Sequence, residues 1–429
     1  MPRARLAALL ALAISAAPAA RAAAPATVRP QASADPDRAR LDAAAEALAR
    51  GRRDAGGVAA LAELDDLEDE APDLARVADA YGDVLDDRAA DPEVLGLARY
   101  RLAMLERTRG NLQKSTAHLH RLGFVTAWTV IGPFDDEGKR GLDVAFAPER
   151  DLDVAKRHEG KVREVAWRAL PPEAVVDGFV HLGAALRPAR QVVAYALAVV
   201  EAPRDERVQL WLGASGAAKV LVNGALAIRD PGYHPARLDQ RGATVSLRRG
   251  ANRILVKLCH QEGRMGFFLR LADARGEGIV LPPAPAGAAA VAAGAKPAPI
   301  EDAVRRLEAR ARAARAAGSG EAEARRELAL ALAERTPVDA QERRAAAEAR
   351  RAAALAPRSV EAHLLAASLE EEHGPRRQQI EAALALAPDD PRALAALARE
   401  ELDQGRPHPA LRLLDRAVAA APRWAAPRV

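Results

Sequence analysis

The only thiol in the 429-residue chain is Cys259. A thiol nucleophile needs a histidine base and an orienting group within hydrogen-bond reach. His260 is the next residue, but neighbours on a strand project to opposite faces, so the plainer reading of Cys259 is a core thiol. Paired carboxylates for glycoside cleavage must face each other across a cleft about 5–10 Å wide. Asp135, Asp136, Glu137, Asp151 and Asp153 are the residues to consider, yet acidic side chains are ordinary loop composition. The same acidic loop invites a structural calcium ion, but its spacing does not match a calcium-loop pattern. The nine histidines show no H-E-x-x-H and no pairing with cysteine, so no zinc site is expected. Gly213-x-x-Gly216 is followed at Lys219 by a strand rather than a helix, so it is neither a phosphate loop nor a dinucleotide fingerprint. No catalytic residue, metal or cofactor is expected, and the chain reads as a non-enzyme.

One loop has the chemistry of a binding site. Residues 230–240 place Tyr233, His234, Arg237 and Asp239 between two strand patterns. Sugar recognition uses an aromatic face with planar polar groups beside it, and this loop carries both. The competing reading is a polar connection. Trp128, Trp167 and Trp211 invite a stacking platform, although strand tryptophans are more often core.

Of the 14 aromatic residues, 11 lie between Phe124 and Phe268. There the apolar period switches to that of strands, each bounded by turn residues: 125–131, 161–167, 178–182, 191–200, 207–213, 218–222, 225–229, 243–248, 252–260 and 265–271. Gly132-Pro133 is expected to stop the first run. Asn223-Gly224 between apolar runs is a type I′ hairpin signal. Many short strands without intervening helices predict a β-sandwich over 123–280. Before it, Asp35-Pro36 and Asp91-Pro92 pair a capping carboxylate with a first-turn proline, and helices are expected over 58–68, 73–87, 92–109 and 111–122, forming a helical arm over 35–122. After it, residues 281–299 are rich in Pro, Ala and Gly and read as a semi-extended linker.

The first residues address the compartment. Arg3 and Arg5 precede the apolar run Leu6–Ile14, and small A-x-A-like sites follow near Ala22. This is the layout of a secretory signal peptide over 1–22, with a disordered leader over 23–34. The run is too short to span a bilayer, and no later stretch is apolar enough. A soluble periplasmic or extracellular protein is expected. Removing residues 1–22 takes three arginines and no acid, leaving +1 of the +4 net charge. The remaining basic residues are interspersed with Asp and Glu, which is not a nucleic-acid footprint. A single cysteine excludes an intramolecular disulfide.

From residue 300 to 429 the chain is helical, and Pro357, Pro388 and Pro422 close successive units. In the last unit Leu394, Leu397 and Ala398 lie on one helix, Gly405 at the turn, Ala410, Leu414 and Ala417 on the next, and Pro422 at the close. The small residues let two helices approach closely. This unit resembles the tetratricopeptide repeat. An array of this kind usually ends with a polar capping helix, whereas here the chain stops just after Trp424, so either a truncated relative or a C-terminus that docks on something is expected.

Three phrases in the middle, WTVIGPF (128–134), LWLGASGAAKVLVNG (210–224) and LRRGANRILVK (247–257), resemble the galactose-binding-like jelly roll, especially the sugar-binding-type domain of family 2 glycoside hydrolases. That resemblance implies an accessory domain rather than a catalytic one. Taken whole, the chain is similar to exported bacterial proteins that combine such repeats and a jelly roll, sometimes with a transglutaminase-like domain. The expected fold class is therefore multidomain α and β: a helical-repeat arm, a jelly-roll sandwich and a tetratricopeptide-type solenoid. The first functional reading is an exported scaffold whose repeats bind a protein partner, with the jelly roll as a second contact surface. The alternatives are a carbohydrate-binding module on helical arms and the non-catalytic part of an exported hydrolase or transglutaminase-like protein.

Overall fold

The computed structural model describes residues 36–68, 73–288, 291–335, 339–422 and 424. The expected signal peptide, the leader and the capping Asp35 lie outside these residues. The chain opens with α1 (Pro36–Gly51), α2 (Gly56–Glu68), α3 (Leu74–Asp86), α4 (Pro92–Thr108) and α5 (Leu112–His120). Asp91 starts α4 as its sequence implies: Oδ1 accepts from the Glu93 amide at 3.0 Å, and Pro92 fills the first turn, where no donor is required.

The strand region follows. It contains β1 (Thr129–Asp135), α6 (Ala147–Arg150), β2 (Arg157–Glu159), β3 (Glu164–Ala166), β4 (Arg168–Ala169), β5 (Val175–Val176), β6 (Phe179–His181), α7 (Leu182–Ala185) and β7 (Val192–Ala202). It continues with β8 (Glu206–Ala214), β9 (Ala217–Val222), β10 (Ala225–Asp230), β11 (Arg241–Leu247), β12 (Gly250–His260), β13 (Gly266–Ala272) and β14 (Ala298–Ile300). All pairings are antiparallel. One six-stranded sheet runs β10-β9-β12-β7-β1-β4 and another runs β14-β11-β8-β13-β6-β5, while β2 and β3 form a small ribbon. The two large sheets bury a shared core: Val130, Ala196, Val220 and Val256 from the first meet Leu210, Val245, Phe267 and Leu269 from the second. Asn223 and Gly224 both take positive φ, 48° and 83°, which makes the tight turn that sets the β9–β10 register.

Three features differ from the sequence reading. Strand β1 does not stop at Gly132-Pro133 but continues to Asp135, with its register to β7 broken between Ile131 and Phe134. Proline has no amide hydrogen to give the ladder, so the strand bulges there and resumes. The run 161–167 yields only the three residues of β3, paired with β2 rather than with a large sheet. The Pro/Ala/Gly segment is not a free spacer. Glu201 and Ala284 amides bond to Pro282 and Val199 carbonyls, the Val291 amide bonds to Ala251, and the segment ends as β14 beside β11. A prolyl-rich chain keeps carbonyl acceptors, and alanine side chains are small enough to lie flat on a sheet face; Ala284, Ala286 and Ala288 do so.

Helices α8 (Ala303–Ala317), α9 (Glu321–Arg335), α10 (Asp339–Leu355), α11 (Val360–Ser368), α12 (His373–Leu386), α13 (Pro391–Asp403) and α14 (Pro407–Ala420) complete the chain. The two helical regions touch. Leu61, Leu64, Val94 and Ala98 share one apolar cluster with Leu307, Ala324, Leu328 and Ala331. Arg326 reaches Glu63 at 3.1 Å, and Arg101 reaches Glu334 at 2.8 Å. The strands interrupt a single helical layer, and the second sheet lies against it: Tyr100 of α4 meets Phe268 of β13 edge-on, with ring centroids 5.8 Å apart.

Candidate functional site

The loop between β10 and β11 carries the predicted binding residues, and the structure sends most of them inward. His234 is buried: its Nε2 lies 3.0 Å from Asp230 Oδ2, and its Nδ1 lies 3.1 Å from Gln240 Nε2. Gln240 also donates to the Arg335 carbonyl at 2.8 Å, and Arg335 donates to the Leu238 and Asp239 carbonyls. Burial pushes the Asp230 carboxyl up, but the hydrogen bond from His234 and the charge of Arg241 outweigh it and hold the group below its ordinary value. Asp239 is buried against Arg270 Nε at 2.8 Å. Tyr233 is half-buried and donates to Asp136 Oδ2 at 3.0 Å. Arg237 alone is exposed. The four residues are therefore not convergent on a pocket. They divide between a junction with α9, a buried ion pair and a contact with the acidic loop.

That junction is closed by charge. Glu93 of α4 takes the Ala303 amide on Oε2 at 2.9 Å and Arg335 on Oε1 at 3.0 Å, while Arg306 joins Oε2 at 3.1 Å. Burial pushes the Glu93 carboxyl up, against the opposing pull of Arg335 and Arg306. Gly96 is required nearby, because a side chain there would collide with the Arg270 guanidinium. Sequence reading missed this cluster, since its members are scattered over more than 200 positions, with Glu93 bonding to the residue at position 303.

A second polar cluster lies on the outer face of the first sheet. Lys257 is fully buried, and its Nζ donates to Glu149 at 2.7 Å, Val144 O at 2.6 Å and Leu142 O at 3.1 Å. Tyr195, opposite it on β7, donates to the same Glu149 oxygen at 2.6 Å. Three satisfied donor bonds and a carboxylate are what let an ammonium survive there. The cluster pins residues 142–149 over the sheet. Its one sequence signal is a lone lysine in the otherwise apolar run of β12.

The remaining reactive groups have structural surroundings. Cys259 is buried among Ile131, Val193 and Ala217, and burial pushes its thiol up to about 12, with Asp136 adding to the rise. His260 turns away and pairs with the Ser215 carbonyl at 2.8 Å. Asp136 accepts from the Gly141 amide at 2.7 Å and from Gln261 at 2.9 Å. Asp135 and Glu137 pair with Lys161, and Asp151 and Asp153 pair with Lys156. Trp128, Trp167 and Trp211 are buried. Among the described residues no group of His, Cys, Asp and Glu is arranged to hold a metal, and no helix is long and apolar enough to cross a membrane. A cleft of about 440 Å³ opens between Thr129, Leu197, Val199, Ala284 and Ala286, with apolar walls and no charged side chain.

In the last helical pair, Leu394 and Ala398 of α13 and Ala410 and Ala417 of α14 are fully buried, whereas Leu414 is half-buried. Gly405 takes φ 70° in the turn between the two helices, and Pro422 follows the end of α14. No protein-family model matches the chain, and no curated protein matches it.

Proposed function

We propose that the chain is an exported, non-enzymatic interaction scaffold, in which a tetratricopeptide-type array formed by the C-terminal helices holds a protein partner and a galactose-binding-like jelly roll serves as a second surface. One observation supports this most: α10–α14 stack through small buried residues such as Ala353, Ala366, Ala383, Ala398 and Ala417, while Leu355, Leu386, Leu402 and Leu411 remain exposed on the same stack. Close helix packing spends the small residues on the interior, and the exposed leucines are the side chains of the stack that a partner would cover. The reading as a sugar-binding module rested on the loop 230–240, and the internal bonds of His234, Asp239 and Tyr233 give it no support.

The test is affinity capture from an envelope extract with the full chain, followed by a binding isotherm for each purified interactor. A specific interactor whose binding is lost in Leu386→Glu/Leu402→Glu, at an unchanged melting temperature, supports the scaffold. Binding indifferent to both substitutions removes it.

A further inference from the structure

Four arginines beside one segment of the sandwich bond to carbonyls or an imidazole, whereas Lys161 and Arg190 next to them pair with acids. This segment, called the Gly183–Gln191 loop below, comprises the last three residues of α7 and the connection from α7 to β7. Arg187 donates to the Gly183 carbonyl and, at 3.0 Å, to that of Leu186. Arg168 donates to the Ala185 carbonyl, Arg163 to that of Arg187 at 3.3 Å, and Lys161 to that of Gln191 at 2.8 Å. Beside them Arg264 donates to His181 Nε2 at 2.9 Å and lies over the Phe179 ring at 4.0 Å. The loop is joined to this last group through the Gly183 amide and the Met265 carbonyl, 3.2 Å apart. Burial and then Arg264 hold the His181 imidazole below its ordinary value, which keeps it a neutral acceptor.

What matters is that four such arginines are anchored on one short segment, residues 181–187. Some exposed arginines elsewhere meet acids, Arg229 with Asp143, Arg248 with Asp205 and Arg344 with Glu308, while others such as Arg207 and Arg249 make no ion pair among the described residues. Of the acids nearby, Glu164 is engaged by Arg157, Glu262 by Arg190 and Asp177 by Arg107, while exposed Glu173, on the turn packed against α7, makes no ion pair among the described residues. Arg163, Arg168, Arg187 and Arg264 are exposed, and the partners of their guanidinium groups are carbonyls or an imidazole. A guanidinium has five N–H donors, so one or two bonds to the protein fix its position and leave a fork directed at solvent. Carbonyl bonds do not neutralise the charge. The carbonyl anchors at 183, 185, 186 and 187 fall within five residues, which fully extended span about 17 Å.

We propose that the Gly183–Gln191 loop, with Arg163, Arg168, Arg187 and Arg264, is a binding surface for an anionic polysaccharide, one carrying sulfate or carboxylate groups along a stiff chain. Guanidinium forks match such groups bidentately. Pre-positioned cations lose little side-chain freedom on binding, which favours a rigid, regularly charged ligand. The patch is too small for duplex DNA, whose binding proteins engage about 6–10 phosphates, and the chain carries a net charge of only +4. The surface is separate from the leucines of the helical stack, so it stands or falls independently of the scaffold reading.

The experiment is a salt series of binding isotherms with the full chain, using heparin and polygalacturonate as probes and a short DNA duplex and phosphatidylglycerol vesicles as comparators. Saturable polysaccharide binding is expected, at least about tenfold weaker in Arg168→Ser/Arg187→Ser. Arg168→Lys/Arg187→Lys, which keeps the charge and the fold but not the fork, should fall between the two. Arg248→Ser should bind as the parent does. No saturable binding to either polysaccharide at low salt overturns the proposal, as does undiminished binding by the serine variant at an unchanged melting temperature. Tighter binding to DNA or vesicles than to both polysaccharides also overturns it and transfers the patch to that class of partner.

Discussion

Trp424 donates its indole N–H to a carboxylate oxygen of Asp37, 2.5 Å away and 387 residues earlier in the chain. Both residues are buried, and the ring also rests in a cluster with Leu394, Ala417 and Ala421. The first and last described helices are thus tied together by one aromatic side chain. Trp424→Ala should cost about 3 kcal/mol, mostly from lost packing. Trp424→Phe keeps most of the ring and should cost about 1 kcal/mol for the hydrogen bond. Denaturant unfolding of both variants measures this; equal losses would mean that the bond, not the packing, dominates.

The interface between α13 and α14 has no room for larger side chains. Ala410 and Ala417 are fully buried, so Ala410→Leu or Ala417→Leu should destabilise the C-terminal helices by about 1–3 kcal/mol through overpacking. Unchanged melting of both variants would contradict the close approach of these helices.

Asp239 and Arg270 form a buried pair facing Gly96 of α4. Arg270→Met should cost about 3–5 kcal/mol, because it strands a carboxylate away from water. Asp239→Leu/Arg270→Met should recover part of that loss. Gly96→Ala should be destabilising by about 1–3 kcal/mol, since the guanidinium must move. A double-mutant cycle on unfolding free energies tests the pair.

Acid should loosen the C-terminal helices first. Glu401 is held below its ordinary value by Arg377 and Arg406. Glu400 is held down as well, although burial pushes it up, because Gln404 and His373 outweigh that cost. A carboxylate depressed in the folded state stabilises above its unfolded pKa, about 4.3, and that contribution disappears as pH falls through the folded value. The hydrogen-exchange protection factors of α13 amides should fall below about pH 4.5 while those of β7 and β12 hold. Simultaneous loss in both regions would refute this order.

Cys259 should be inert to thiol reagents in the native protein, since burial pushes its thiol up to about 12 and the side chain is fully covered. It should react at once in denaturant. Fast native labelling would show that the cover over the first sheet opens readily.

Local signals were legible in the sequence and distant ones were not. Asp91-Pro92 announced a helix start and Asn223-Gly224 a hairpin because both act over a few residues. The aromatic clustering marked the strand region for the same reason. The loop 230–240 looked like a ligand site because Tyr233, His234 and Asp239 are the residue types that recognise sugars. They are equally the types that satisfy a buried junction, and only the positions of Arg335, Arg270 and Asp136 decide between the two. The arginines around residues 183–191 gave no signal, since no spacing pattern links Arg163 to Arg264.

Arg326 of α9 meets Glu63 of α2 across 263 residues of chain. On a ribosome adding about 5–20 residues per second, the early helices wait roughly 13–50 s for the partners that complete their layer. Through that interval Leu61 and Leu64 lack Leu307, Ala324, Leu328 and Ala331, with which they share a core. The order of synthesis therefore leaves this protein exposed to aggregation at its amino-terminal end, and a chaperone would be needed there earliest.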